Sequence, residues 1–117
     1  MTFIDGFVAA VPTARRAEYI EHARIASAVF KELGAIRVVE CWGADVPEGK
    51  VTSFPMAVKR GEDETVVFSF VEWPSRAVRD AAFAKMMDDP RMSAETNPMP
   101  FDGQRLIYGG FETVLDV

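Results

Sequence analysis

The stretch "TVVFSFVEWPS", residues 65–75, decides the fold of this chain. Its first nine residues are the most strand-like segment of the sequence, because β-branched and aromatic side chains favour a pleated backbone. Pro74 ends the strand, and Ser75 can cap a following helix. The residues after Ser75 keep a helical period until "DDP". We therefore expect this strand to lead directly into a helix over residues 76–88.

The N-terminal third has the same strand-to-helix order. "FIDGFVAAV", residues 3–11, is typical of a strand, and Pro12 closes it. Thr13 can cap the next helix, which we expect to run to about Leu33 and to end at Gly34. The residues at helical spacing in it are Ala17, Ile20, Ala23, Ser27, Phe30 and Gly34.

Two further extended segments lie between the helices. "IRVVECWG", residues 36–43, is rich in β-forming residues, and the "DVPEGK" that follows is typical of a turn. "VTSFPMAV", residues 51–58, also reads as extended, and "KRGEDE" is a charged turn before the strand at residues 65–73. Together these segments predict a long hairpin.

The C-terminal part supplies the last strand. Residues 91–104 contain two prolines and no clear period, whereas "RLIYGGFETVL", residues 105–115, is strand-like. The predicted order is β-α-β-β-α-β, which is the ferredoxin-like arrangement of an α+β fold with an antiparallel sheet. At 117 residues, the chain is expected to form a single domain over residues 1–117.

The glycines near the C-terminus resemble a phosphate-binding loop, but their context argues against one. Such loops lie between a strand and a following helix, whereas "FDGQ" comes before a strand. Asp102 and Gly103 therefore predict a turn, with a positive φ at the glycine. Gly109 and Gly110 lie inside the strand and indicate a bulge or the close approach of another backbone.

The faces of the strands predict a partner. Successive side chains of a strand point to opposite faces of the sheet. In residues 66–73 both faces are apolar, and the same holds for the first strand. Two helices cover one face only, and the other face projects roughly 320 Å² of apolar sheet, a large patch for a soluble monomer. We therefore expect a homodimer in which the two sheets face each other.

Composition and charge exclude several classes of protein. The net charge is −5, with 18 acidic and 13 basic residues, so we expect no nucleic acid as a partner. No apolar run is long enough to span a membrane, and the first residues lack the basic start of a signal peptide, so we expect a cytoplasmic protein. The single cysteine, Cys41, excludes an internal disulfide and is expected to be a small core side chain.

Five segments carry a resemblance to a known family. They are "FIDGFVAAVP", "VVECWGADVPEGK", "VVFSFVEWPS", "KMMDDPRM" and "PFDGQRLIYGGFE". With them the chain resembles, over nearly its whole length, the YbaA-like family of uncharacterised bacterial proteins. The resemblance implies the dimeric α+β barrel fold, in which two ferredoxin-like protomers pair sheet to sheet. It implies no reaction, and the fold alone does not fix one.

Polar residues inside strands are the candidates for a site, because a buried charge must be paired or used. Glu40 and Trp42 share one face of their strand, and Arg37 lies on the other. The candidate pocket residues are Glu40, Trp42, Arg37, Tyr108 and Asp5. Structural ion pairs or strand-end charges are the alternative reading of the same residues.

Metal and cofactor sites find little support in the sequence. A lone histidine without clustered partners is poor support for zinc or haem, and His22, between Glu21 and Arg24, is expected to be a surface helix residue. A reactive pair of His22 and Cys41 would need a contact that no motif predicts. We expect no cofactor and no metal.

Two classes of function stay open. The first is an enzyme or binding protein that holds a small organic molecule between sheet and helices, with Glu40 as base, Trp42 as stacking surface and Tyr108 as donor. The second is a structural or stress-accessory dimer without a ligand. A cavity lined by polar strand residues would favour the first, and a fully packed interior the second.

Overall fold

Residues 1–117 are all described by the computed structural model. Four strands and three helices alternate along the chain. The elements are β1 (Phe3–Pro12), α1 (Arg16–Glu32), β2 (Arg37–Trp42), α2 (Phe54–Ala57), β3 (Glu64–Trp73), α3 (Arg76–Met86) and β4 (Ile107–Glu112). The predicted order of strands and long helices is confirmed, and α2 is an addition to it.

The four strands form one antiparallel sheet in the order β2-β3-β1-β4. This is the ferredoxin-like topology that the sequence predicts. The register sets one row of side chains across the whole sheet, because Glu40 lies opposite Ser69, Ser69 opposite Phe7, and Phe7 opposite Tyr108. All four side chains of this row lie on the face that the helices cover.

The helices α1 and α3 cover this face and form the main core with it. Trp73 is completely buried and packs with Val29 of α1 and Ala82 of α3. The opposite face is only partly covered, because residues 43–60 pack at the end of the sheet around Val8 and Val66, where the Phe54 ring lies 6.3 Å from that of Phe68. The apolar side chains of the remainder, named here the open sheet face, are Ile4, Val39, Cys41, Phe68, Phe70, Ile107 and Phe111, and the Arg37–Glu72 ion pair lies on the same face.

The segment at residues 51–58 differs from the prediction, since it forms α2 and no strand. Ser53 caps this helix by accepting a hydrogen bond from the Met56 amide at 3.1 Å, and Pro55 occupies its first turn. Both residues favour a helix start. The predicted long hairpin is thus limited to the six paired residues of β2 with β3.

The helix ends confirm some predictions and correct another. Ser75 caps α3 by accepting from the Val78 amide at 3.2 Å, and Gly34, with φ of +114°, follows the end of α1. Thr13 does not cap α1, because a short 3-10 turn, Thr13–Arg15, comes first. The Thr13 hydroxyl is paired instead with the hydroxyl of Thr65 at 2.7 Å.

The inward face of α1 is rotated relative to the predicted one. Tyr19, Ala23 and Val29 are buried, whereas Ile20 is 53% exposed. The predicted stripe contains Ile20 and omits Tyr19, whose ring packs into the core while its hydroxyl reaches a polar partner. This rotation brings a phenol hydroxyl to the sheet.

The C-terminal glycines also differ in detail from the prediction. Gly103 has no positive φ and begins a 3-10 turn in which Asp102 accepts from the Gln104 amide. Pairing of β4 with β1 is continuous through Gly109 and Gly110, so there is no bulge. A side chain, the ring of Phe3, makes the close approach, since a Cβ at Gly110 would lie 2.7 Å from it.

Candidate functional site

A cavity of about 180 Å³ lies between the sheet and α1, and we name it the helix-side cavity. Its floor is formed by β1, β2 and β3, and its roof by α1. The segment of residues 92–106, which joins α3 to β4, supplies the outer wall. Twelve of its fifteen lining residues are hydrophobic, so the few polar groups inside it are conspicuous.

Glu40 and Tyr19 form the polar centre of this cavity. Tyr19 is buried in the second turn of α1, and its hydroxyl donates a hydrogen bond to Glu40 Oε1 at 2.5 Å. Ser69, also buried, lies directly opposite Glu40 in the sheet. A carboxyl and two hydroxyl groups therefore meet at one end of an apolar space.

The surroundings of Glu40 shift its acidity. Burial raises the pKa of its carboxyl above the ordinary value, while the Tyr19 and Ser69 hydroxyl groups act in the opposite direction. Burial and the neighbouring Glu40 also raise the pKa of Tyr19, so its hydroxyl stays protonated and acts as a donor. β2 is an edge strand and leaves part of Glu40 exposed, but its carboxyl lines the cavity. The arrangement can accept a hydrogen bond from a donor group, and a carboxyl with a raised pKa is a stronger base than an ordinary one.

Aromatic and thioether side chains make the remaining walls. Phe7 and Phe30 come from β1 and α1, and Phe101 approaches the Tyr19 ring with 5.9 Å between centroids. Met92 and Met99 complete the outer side. Such flexible, polarisable walls suit an apolar ligand body better than a strongly hydrated one.

A pair of side chains fixes the outer wall to α1. Asn97 is buried, and its amide nitrogen donates to the His22 carbonyl oxygen at 3.2 Å. Asn97 Oδ1 lies 3.0 Å from His22 Nδ1. His22 is therefore half-buried at the cavity, which corrects the expectation of a surface residue. A second, outer depression shares His22 and four other lining residues with the helix-side cavity, so the two adjoin.

The predicted site residues are distributed over both faces of the sheet. Glu40 lines the helix-side cavity. Trp42 lies on the same face outside the cavity, and its ring is 6.1 Å from that of Tyr19. Tyr108 is 73% exposed and stacks on Phe7 with 6.4 Å between centroids. The structure thus brings Glu40 to the cavity and Trp42 and Tyr108 next to residues that line it.

The two remaining candidates make ion pairs elsewhere. Asp5 is 3% exposed, accepts from Trp73 Nε1 at 2.9 Å and is paired with the guanidinium of Arg79 at 2.8 Å. Arg37 lies on the other face of the sheet, 3.3 Å from Glu72. These contacts are the structural ion pairs that the sequence left open as an alternative.

Cys41 lies on the open sheet face and is exposed in the single chain, which corrects the expected core position. The alternation of the strand explains this, because the neighbours of Cys41 at positions 40 and 42 face the helices. His22 lies on the helix-covered side, so the two residues do not meet.

Several residues at the cavity were absent from the predicted set, namely Tyr19, His22, Met92, Met99 and Phe101, whereas Ser69 is one of the polar strand residues that the sequence singles out. The sequence does indicate the lining residues of α1, because positions 19, 23, 26 and 30 follow helical spacing and carry Tyr, Ala, Ala and Phe. Residues 92–101 had no signal, because their segment has no period and its path depends on packing.

Two classes of feature are not found in this structure. No three His, Cys, Asp or Glu side chains are grouped so that they could hold a metal ion. None of the helices combines the length and apolar character that crossing a membrane requires.

Comparison with known proteins places the chain in a family. Residues 2–103 match the family described as "Protein of unknown function (DUF1428)". The chain is 59% identical over 116 residues to the uncharacterized protein YbaA of Escherichia coli K12 and to that of Shigella flexneri, covering 99% of either chain. A dimeric ferredoxin-like protein from an uncultured marine organism is similar in structure, with a TM-score of 0.63, 14% identity and coverage of 99% of this chain and 98% of that one. The chain therefore belongs to the YbaA-like, DUF1428 family of proteins of unknown function.

Proposed function

We propose that this protein is a homodimer in which each protomer binds a small organic molecule in the helix-side cavity. The observation that carries the proposal is the contact of Tyr19 with Glu40 inside an otherwise apolar space. A charged group at such a place costs stability unless it has a use, and burial already raises the pKa of this carboxyl. A few polar groups converging in an apolar cleft are the usual layout of a ligand site.

The homodimer is supported by the open sheet face. Phe68 and Phe111 are 44% and 61% exposed there, which is costly for a chain that stays alone. A second copy related by two-fold symmetry offers the same apolar surface in return. The structurally similar ferredoxin-like protein is itself described as dimeric. The cytoplasmic location and the lack of a nucleic-acid partner stay predictions from the sequence.

The experiment that tests ligand binding is a metabolite screen by ligand-detected NMR against the wild type and Glu40→Gln. Glu112→Gln is the matched control, because Glu112 is a strand carboxylate on the same face, exposed and outside the cavity. We expect ligands whose binding changes in Glu40→Gln and not in Glu112→Gln. If no ligand responds to the loss of the Glu40 charge, the second function, a dimer without a ligand, is correct.

A further inference from the structure

The charge of the helix-side cavity selects against anionic ligands. Glu40 and His22 are the only titratable lining residues besides Tyr19, and no lysine or arginine lines the space. Arg16, whose guanidinium lies 5.5 Å from the centre of the Trp42 ring, is outside the cavity. A carboxylate or phosphate inside would lie beside Glu40 with no lysine or arginine as a counter-charge, which is unfavourable in an apolar environment.

The volume of the cavity and its aromatic walls favour a ligand with a single ring. A dry apolar cavity of roughly 150 Å³ accommodates a benzene molecule. The helix-side cavity, at about 180 Å³, therefore has room for a single ring with a small substituent, and a larger molecule would extend into the adjoining outer depression. The aromatic side chains of Phe7, Tyr19, Phe30 and Phe101 surround this space. Aromatic groups prefer edge-to-face or offset contacts with one another, which such walls can provide.

The polar end of the cavity selects for a hydrogen-bond donor. Glu40 Oε1 already accepts from Tyr19. A carboxylate has about four acceptor positions on its two oxygens, so the group can accept a further hydrogen bond from a ligand. Because the Tyr19 proton is directed to Glu40, Tyr19 is a positioning residue that fixes the carboxyl, while Glu40 is the group that touches the ligand. A hydroxyl group requires one acceptor, which the Glu40 carboxylate supplies.

An ammonium group matches this end less well than a hydroxyl group. It carries three N–H donors and a charge, and the cavity offers one shared carboxyl and the Ser69 hydroxyl. Burying such an ion beside a single carboxylate gains little, because the desolvation cost is similar to the attraction. We propose, on the basis of the function proposed above, that the helix-side cavity takes an uncharged single-ring molecule whose hydroxyl group donates a hydrogen bond to Glu40.

Four probes of nearly equal shape test the inference at pH 7.5: benzyl alcohol, benzylamine, benzoate and toluene. Titrations of the full-length wild type are followed by shifts of the amide resonances of Glu40 and Ser69. We expect benzyl alcohol to bind in the millimolar range and at least about tenfold more tightly than benzoate, which is the effect of one unfavourable charge contact. Benzylamine is expected to bind more weakly than benzyl alcohol.

Two variants show whether Glu40 is the acceptor. In Glu40→Leu the preference for benzyl alcohol over toluene should fall about tenfold, because a hydrogen bond to a charged acceptor is lost. Glu112→Leu, at an exposed position of the same face, should leave that preference unchanged. Glu40→Gln keeps an acceptor but loses its charge, so it should bind benzyl alcohol more weakly than the wild type and benzoate more tightly. Thermal unfolding verifies that each variant is folded.

The outcomes separate this inference from the proposed function. Benzoate or benzylamine binding as tightly as benzyl alcohol would overturn the ligand class, and so would an unchanged preference in Glu40→Leu. Failure of all four probes up to their solubility would overturn the single-ring class as well. The metabolite screen against Glu40→Gln and Glu112→Gln decides the proposed function by itself, since it depends on no assumption about rings or hydroxyl groups.

Discussion

Glu40 is the residue at which the chemistry of this fold is concentrated. A carboxyl whose pKa is raised by burial is protonated more readily in the folded than in the unfolded chain. Stability contributed by the neutral form is therefore present at low pH and is lost as pH rises above the ordinary value near 4.5 toward the folded pKa. The protein thus carries at neutral pH a charge that its own folding disfavours.

Glu40→Gln should remove the destabilising effect of the Glu40 charge at neutral pH. We expect the melting temperature to rise at pH 7.5 and to be unchanged at pH 4, because the raised pKa favours the neutral carboxyl in the folded wild type below the ordinary value near 4.5. Differential scanning calorimetry at both pH values measures the effect. A variant that is less stable at pH 7.5 than the wild type would identify Glu40 as a stabilising charge and contradict the expectation.

Gly110 and Gly109 are neighbours with different constraints. A Cβ at Gly110 would lie 2.7 Å from the ring of Phe3, which is buried and lies beneath the Arg79 guanidinium at 5.1 Å. A Cβ at Gly109 would meet the Phe111 ring at 3.5 Å, an ordinary contact. The absence of a side chain is therefore required at Gly110 and not at Gly109.

Gly110→Ala should destabilise the fold by about 1–3 kcal/mol, the usual cost of overpacking a well-filled core. Gly109→Ala is the matched control and should change the free energy of unfolding by less than about 0.5 kcal/mol. Urea denaturation of the two variants measures both values. Equal effects would show that the strand backbone, and not the Phe3 ring, requires the glycines.

Among the elements, those with strong local signals were predicted well. β3 and α3 follow from the β-branched and aromatic residues at 65–73, from Pro74 and from the Ser75 cap. Residues 51–58 were predicted wrongly because Val51 and Val58 favour a strand, whereas the Ser53 cap starts a helix. The outer wall of the cavity was not predictable, since residues 92–101 are placed by packing on α1.

The outer wall depends on Asn97 for its position. Both polar ends of this buried amide are paired with His22, and the wall itself has no regular structure beyond short 3-10 turns. Asn97→Ala should loosen it, because the His22 ring and carbonyl group lose their partner. We expect faster hydrogen exchange in residues 92–101 and unchanged protection in β1 and β3. Equal loss of protection in the sheet would indicate global destabilisation instead.

A second contact joins the turn before β4 to the start of β3. The Arg105 guanidinium donates to both oxygens of Glu64, at 2.8 and 2.7 Å, and these bonds lower the Glu64 pKa to about 2. Because the folded pKa is depressed, the stabilisation is present above the unfolded value near 4.5 and is lost as pH falls toward 2.

Glu64→Gln should lower the melting temperature at pH 7 by roughly 2–5 °C, and the difference from the wild type should shrink between pH 4.5 and 3. Glu62→Gln is the control, because the Glu62 carboxylate lies in the same turn, is exposed and makes no ion pair. Circular dichroism melts at pH 7, 4 and 3 provide the comparison. A difference that stays constant with pH would rule out the ion pair as its cause.

At the scale of the whole molecule, the sequence predicted that one face of the sheet lacks cover. This follows directly from the apolar residues on both faces of β1 and β3, because the two long helices cover one face only. In the structure, α2 and its flanking loops cover the end of the other face around Val8 and Val66, and Phe54 contacts Phe68. The sequence could not show how far that cover extends, because it depends on the path of residues 43–60 across the sheet.

The open sheet face leads to the last prediction, which concerns assembly. Phe111 lies on this face of β4 and is 61% exposed, whereas Tyr108, on the helix-covered face of the same strand, is 73% exposed. If two copies pair through their open sheet faces, Phe111→Asp places a charge in the apolar interface, and Tyr108→Asp does not.

Sedimentation equilibrium at micromolar concentration should therefore show about twice the 13.0 kDa chain mass for the wild type and for Tyr108→Asp. Phe111→Asp should dissociate at least about tenfold more readily, since an unpaired charge in an apolar interface costs more than 1.4 kcal/mol. By mass action, the melting temperature of the wild type should also rise with protein concentration, and that of Phe111→Asp should not. A monomeric wild type, or equal weakening by both substitutions, would contradict pairing through this face, because only Phe111 belongs to it.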